Sequence, residues 1–200
     1  MLTLKERVTT KSLTKISILS VLAFLIMFIE VPLWFTPEFL KVDLSDIPAL
    51  IGAFALGPLA GVAIEFVKNI LHMTLKGTVT GGVGELANFI VGSVFVYTAS
   101  ILYYKRKTFK RAIIGMILGT IAMTIVASLA NYFVLIPMYA KIFGAPIEYF
   151  VELSSKVNGF VVDFKSFILF GIAPFNLLKG IMVSAITIPL YKKISPILHK

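Results

Sequence analysis

The chain has 200 residues, of which 58% are hydrophobic and only 14% charged, and its mean hydropathy is +0.95. A soluble surface cannot be made from this composition, so the chain is read as a membrane protein. The 19 basic and 10 acidic residues give a formal charge of +9, and the absence of cysteine excludes disulfides, thiolate metal sites and cysteine nucleophiles.

A hydrocarbon core of about 30 Å needs roughly 20 apolar residues in helical form. Five runs qualify, at residues 12–29, 47–75, 83–104, 112–140 and 166–191. The second contains Gly57-Pro58, where one helix can end and another begin. Charge decides whether it splits, because cytoplasmic segments near spans are enriched in Lys and Arg. Twelve of the 19 bases lie in three clusters: Lys5, Arg7, Lys11 and Lys15; Lys105, Arg106, Lys107, Lys110 and Arg111; and Lys192, Lys193 and Lys200. Only a six-span count puts all three clusters on one side, which assigns them to the membrane surface and not to nucleic acid. The expectation is an all-α membrane protein with six transmembrane helices, cytoplasmic N- and C-termini and ordered outer loops. Residues 1–200 form a single integral-membrane domain in this reading.

The first helix has the order of a secretory signal, but Phe28-Ile29-Glu30-Val31-Pro32 offers no small-residue cleavage pair, so it is expected to be retained. Tyr103, Tyr104, Tyr191 and Trp34 suit interfacial anchors. In the first outer loop, Leu40-Lys41-Val42-Asp43-Leu44-Ser45 alternates apolar with polar, the period of a strand with one buried face. Such a loop either covers a ligand or rests on the helix ends. Residues 141–165 form a second long outer connection, with Gly144-Ala145-Pro146 as its turn. The outer face is therefore the expected ligand face.

Polar residues within spans are costly and mark protein-facing or cavity-facing positions. In Pro174-Phe175-Asn176-Leu177-Leu178-Lys179-Gly180, Asn176 and Lys179 are three apart and share a helical face, a donor-rich spot. A central lysine costs on the order of 2.5 to 3.5 kcal/mol, which a ligand or a buried carboxylate can offset. Asn131, Glu85 and Asn88 fall toward the same end. Glu65 and Lys68 read as an internal ion pair, and His72 as a packing or interfacial residue. Gly57-xxx-Gly61 and Gly115-xxx-Gly119 permit close helix approach, while Ser17, Ser20 and Ala23 form a small-residue face that either packs internally or docks a partner. The Gly81-Gly82-Val83-Gly84 stretch lacks a P-loop's GKS or GKT, and HExxH and GxSxG are absent, so no enzyme active site can be named. A carboxylate such as Glu65 or Glu85 keeps an autonomous proton-coupled carrier open as an alternative.

These features together resemble the substrate-binding S components of energy-coupling factor (ECF) transporters, in particular the riboflavin-specific group. The resemblance is carried by Phe28-Ile29-Glu30-Val31-Pro32, by the stretch from Phe39 through Asp43 to Pro48, and by the Gly57-Pro58 break. Gly84-Glu85-Leu86-Ala87-Asn88-Phe89, Ala130-Asn131-Tyr132 and Pro174-Phe175-Asn176-Leu177-Leu178-Lys179-Gly180 complete it. It implies a six-helix subunit of the prokaryotic plasma membrane that binds riboflavin as transported substrate and works with a transmembrane coupling subunit and two ATPases. By the resemblance, Asn131, Asn176 and Lys179 are substrate-site candidates, joined by Glu85, Asn88, Lys41, Asp43 and Leu44. The AxxxA coupling motif usual in the family's first helix is replaced by Ser17, Ser20 and Ala23. Riboflavin's flat ring, amide-like edge and uncharged hydroxylated tail suit apolar walls with a few amides and one cation. Lys179 also suits a phosphate, so flavin mononucleotide stays open beside riboflavin, and an S component for another vitamin stays open beside both.

Overall fold

The computed structural model describes residues 9–198, with side chains to residue 191. Lys5, Arg7, Lys200 and the side chains of Lys192 and Lys193 lie outside the described residues. Helix α1 (Thr10–Met27) starts at Thr9, whose hydroxyl accepts the Ser12 N–H while the Ser12 hydroxyl accepts the Thr9 N–H. The apolar run 47–75 does split. Gly57, at φ 110°, separates α2 (Asp46–Leu56) from α3 (Pro58–Leu71), and Pro58 occupies the first turn where no N–H is needed. A π-helical turn, His72–Lys76, extends α3. Helix α4 (Val83–Lys105) follows, then α5 (Phe109–Ala130), which runs through a π turn (Asn131–Leu135) into α6 (Ile136–Phe143). Helix α7 (Ile147–Ser155) lies in the second long connection. Helix α8 (Phe164–Phe167) passes through a third π turn (Ile168–Ile172) into α9 (Ala173–Leu198).

Four helical rods among the described residues are long and apolar enough to cross a membrane: Thr10–Met27, Val83–Lys105, Phe109–Phe143 and Phe164–Tyr191. Helix α2, 11 residues long, is shorter than a full crossing but is buried on all sides, as an all-round apolar helix must be. It packs against α1, α3, α4 and α9. The rod 109–143 has 35 residues, about 52 Å at 1.5 Å per residue, longer than a hydrocarbon core of about 30 Å. Its α6 end builds one wall of the cavity at the loop end.

Both long connections are ordered; the first differs from its expected form, and the second keeps its expected turn and adds a helix after it. The alternation at 40–45 yields only a two-residue ribbon, β1 (Val31–Pro32) paired antiparallel with β2 (Lys41–Val42). It stops because Asp43 and Ser45, which an alternating strand would expose, are buried in ion pairs and a helix cap. Residues 141–165 hold α7, entered after Gly144 at φ 61°. Phe39 of the first connection packs on Phe150 of α7, with ring centroids 5.6 Å apart. At the opposite end, Lys105, Arg106, Lys107 and Lys110 are exposed on the α4–α5 hairpin. Tyr103, expected as an interfacial anchor, is instead buried: its hydroxyl lies 3.0 Å from that of Tyr191, and both rings pack on Phe54. Tyr104 and Trp34 are exposed.

Helix α5 lies close against α4 because Gly115 and Gly119 face the backbone at Ala99 and Phe95. A Cβ on Gly119 would come within 2.9 Å of the Phe95 carbonyl oxygen. Gly119→Val is therefore expected to destabilise the detergent-solubilised protein by about 1–3 kcal/mol, the usual cost of overpacking. Gly159, which has nothing within 4 Å of an added Cβ, should accept alanine without loss. Thermal unfolding of the two variants checks this, and equal stability would contradict the close approach.

Candidate functional site

Where the long connections meet the rods, a cavity of about 750 Å³ opens between the first connection, α3, α4, α6, α7 and the last rod. It is lined by Lys41, Asp43, Glu85, Asn88, Asn131, Asn176 and Lys179. Seven of the eight substrate-site residues expected from sequence thus converge. Leu44 does not line the cavity. The chain turns at Asp43 to enter α2, and that turn sends Leu44 into the helical core.

The deep wall is a buried charge network. Lys179 Nζ lies 3.2 Å from Asp43 Oδ2 and 3.1 Å from Asp46 Oδ2. Lys68 Nζ pairs with the other Asp46 oxygen, lies 2.8 Å from Glu65 Oε2, and donates to the Ser45 hydroxyl at 2.8 Å. The expected Glu65–Lys68 pair is thus one arm of a larger cluster of three carboxylates and two ammoniums, all buried. Asp43 Oδ1 also accepts the Ser45 N–H at 2.8 Å just ahead of α2, where the helix dipole favours an anion. Asn88 donates to Asp43 Oδ2 at 3.3 Å and accepts from Asn69 at 3.4 Å. Burial alone pushes the Asp43 carboxyl up, but the Lys179 and Lys68 ammoniums and the hydrogen bonds from Ser45 outweigh it. They hold Asp43 well below the usual carboxylate range.

Of the two ways to offset Lys179, a ligand or a buried carboxylate, the structure supplies the second. Lys179 is offset by carboxylates of its own protein, so truncating it strips Asp43 and Asp46 of a partner as well as removing a contact. Asn176 Nδ2 donates to the Ile172 carbonyl at 2.9 Å, and Asn131 Nδ2 to the Ala127 carbonyl at 2.8 Å. Each amide spends a donor on its own helix, and its Oδ1 remains an acceptor available at the cavity wall.

Across the cavity, His72 Nδ1 lies 3.1 Å from Glu85 Oε1, and Thr78 donates to Glu85 Oε2 at 3.0 Å. His72 is therefore a buried cavity residue and not mere packing: the π turn it opens aims its ring at α4. At the mouth, Glu30 Oε1 takes both Lys41 and Lys76 at 3.3 Å, joining the first connection to the end of α3. Glu30, His72, Lys76, Thr78, Thr80 and Tyr139 were not expected as site residues from sequence. The available signal was the polar Thr78-Val79-Thr80 ahead of the glycines. All three π turns border this cavity, through His72 and Lys76, Asn131, and Ile172. A π turn widens the helix locally and often marks a functional site.

The small-residue face of α1 is divided. Ser17 is exposed, whereas Ser20 and Ala23 are fully buried, with the Ser20 hydroxyl donating to the Ile16 carbonyl at 2.8 Å. As placed here, Ser20 and Ala23 pack within the protein and do not offer a docking surface.

The helical membrane bundle with one large polar-floored cavity at its loop end defines a membrane binding subunit. Residues 11–191 match the family described as "ECF transporter, substrate-specific component". The chain is 40% identical over 190 residues to riboflavin transporter RibU of Staphylococcus aureus (strain TCH60), covering 95% of this chain and 93% of that one. It is 36% identical over 187 residues to riboflavin transporter FmnP of Bacillus subtilis (strain 168), covering 93% of each. A solved structure, described as "Structure and mechanism of the S component of a bacterial ECF transporter", superposes with a TM-score of 0.75 at 37% identity over 95% of this chain and 98% of that one. The chain belongs to the ECF transporter substrate-specific component family, and its general kind is that of a transporter component and not an enzyme.

The buried network yields a direct expectation. Lys68→Met leaves Asp46 without one partner and Glu65 without its ammonium, which for a buried pair costs about 3–5 kcal/mol. Adding Glu65→Gln should recover part of that loss. Thermal unfolding of the single and double variants measures it, and additive destabilisation would show that the two side chains act independently.

Proposed function

We propose that this chain is the riboflavin-binding membrane subunit of an ECF-type importer, delivering its substrate to a transmembrane coupling subunit driven by two separate ATPases. The observation that carries the reading is the cavity. Its 750 Å³ lies within the range of about 300–1,000 Å³ typical of small-molecule sites, and its walls combine aromatic carbon with a few amides. Riboflavin's ring edge carries one imide N–H between two carbonyls. The Oδ1 atoms of Asn131 and Asn176 supply acceptors for such an N–H, and Lys179 supplies a donor for a carbonyl. The hydroxylated tail suits the Glu85, Thr78 and Thr80 side. Phe39, Lys41 and Asp43 make the first connection a cover for the ligand, while Leu44 anchors that cover in the core. The relatives named riboflavin transporters support the choice of ligand, and the residue roles follow from chemical fit.

The chain is proposed to act as one domain spanning the cell membrane six times, with α2 and α3 forming the second and third crossings. The cavity then faces outside, and the basic α4–α5 hairpin faces the cytoplasm, in accord with its exposed lysines and arginine. A cysteine placed at Thr108 should resist impermeant thiol reagents in intact cells and react in inverted vesicles. Labelling from outside would reverse the orientation.

Asn176→Ala removes an acceptor from the cavity wall without breaking an ion pair. Its riboflavin affinity should fall by about 5- to 150-fold, equivalent to about 1–3 kcal/mol, with thermal stability close to wild type. Titration by quenching of flavin fluorescence reads the change. Wild-type affinity in both Asn131→Ala and Asn176→Ala would remove the amides from the site. Lys179→Ala should lose affinity and stability together.

A further inference from the structure

Outside the flavin cavity, a second hollow of about 480 Å³ lies between Trp34 and Phe35 of the first connection, the 157–160 turn, and Phe170 and Pro174 of the last rod. One hydrogen bond ties its turn to the rod. Pro174 has no N–H, so the Phe170 carbonyl lacks the donor that an α-helix places four residues on. Asn158 Nδ2 donates to that carbonyl at 2.9 Å, and Asn158 Oδ1 accepts the Phe160 N–H at 3.1 Å. Both ends of the one polar side chain in the hollow are thus engaged, its amide pinning the turn to the rod and its carbonyl shaping the turn. The remaining lining side chains are aromatic, aliphatic or proline, so a charged or strongly polar ligand finds little to recognise. Trp34 is 81% exposed and Phe160 75%, a large apolar surface to leave in water.

Exposed apolar side chains continue from the hollow along the last rod. Below Phe170, Leu177 and Ile181 are exposed along the same rod, which is long and apolar enough to cross the membrane. Trp34 and Phe35 close it from the side, their rings 5.2 Å apart, and Phe160 and Phe170 sit 5.8 Å apart at its floor. We propose that this hollow is a lipid site: a phospholipid acyl chain rising along the last rod seats between Trp34 and Phe160. The loop that carries Trp34 continues into Phe39, Lys41 and Asp43 of the flavin cavity. A seated acyl chain therefore ties the cover of that cavity to the bilayer. This inference depends on the membrane reading of the rods and not on the identity of the cavity's ligand.

Trp34 is the only tryptophan in the chain, so its fluorescence reports on the hollow without background. The full chain is reconstituted into phosphatidylcholine vesicles with and without dibrominated phosphatidylcholine, and Trp34 emission is also titrated with aqueous iodide. The expected result is strong quenching by the brominated lipid and weak quenching by iodide. In Phe160→Ser, and independently in Val157→Ser, lipid quenching should weaken and iodide quenching rise, while retained riboflavin binding shows that the fold is intact, since neither residue lines the flavin cavity. Quenching by iodide and not by brominated lipid in the wild type would overturn the proposal. So would brominated-lipid quenching that is identical in wild type and both variants, which would place Trp34 in the bilayer independently of the hollow. Shielding that disappears on diluting protein into excess lipid would assign the hollow to a second copy of the chain and likewise overturn it.

Discussion

Charge buried where neither water nor lipid can solvate it must be neutralised within the protein, and here one network does so for four separate segments. Lys179 of α9 and Lys68 of α3 share Asp46 of α2, while Asp43 of the first connection completes the set. Ion pairs in such an environment are weak evidence for stability, because the desolvation cost offsets much of their attraction. Their value lies in position. Each ammonium has carboxylate partners on different elements, so the register of α2 against α3 and α9 is fixed at the depth where the cavity floor must lie.

That constraint explains features which would otherwise look unrelated. Helix α2 can begin deep in the protein because Asp43 satisfies the Ser45 N–H and places negative charge at the helix N-terminus. The ribbon of β1 and β2 ends after Val42 because the next residue is recruited into the network. The first connection is thereby fastened at its base by Asp43 and at its rim by the contact of Glu30 with Lys76 beyond α3, and Phe39 packs on α7. The three π turns among the described residues serve the other wall, widening α3 and two of the rods where His72, Asn131 and Ile172 border the cavity.

Much of this was legible in the sequence, for physical reasons that differ by element. Gly57-Pro58 announced the α2–α3 break because only a left-handed glycine followed by an N-terminal proline makes so short a reversal. The intramembrane polar residues Asn131, Asn176, Lys179, Glu85 and Asn88 stood out because each is expensive unless it has a purpose, and the structure gathers them around one cavity. What could not be read was pairing. Nothing in the sequence says that Lys179 meets Asp43, which lies 136 residues earlier, or that Ser20 and Ala23 turn inward while Ser17 does not. Alternation likewise misjudged Asp43 and Ser45, and the interfacial preference of tyrosine misjudged Tyr103: these are buried because of their partners. The π turns escaped for a related reason, since inserting one residue per turn leaves no compositional mark.

The central claim is that an uncharged flavin occupies the cavity floored by this network. The absorption spectrum of the protein purified from cells grown with riboflavin tests it most directly. Flavin binding predicts a yellow protein carrying close to one flavin per chain, released on denaturation and regained on adding riboflavin. A colourless, monodisperse protein that takes up no added riboflavin would contradict it.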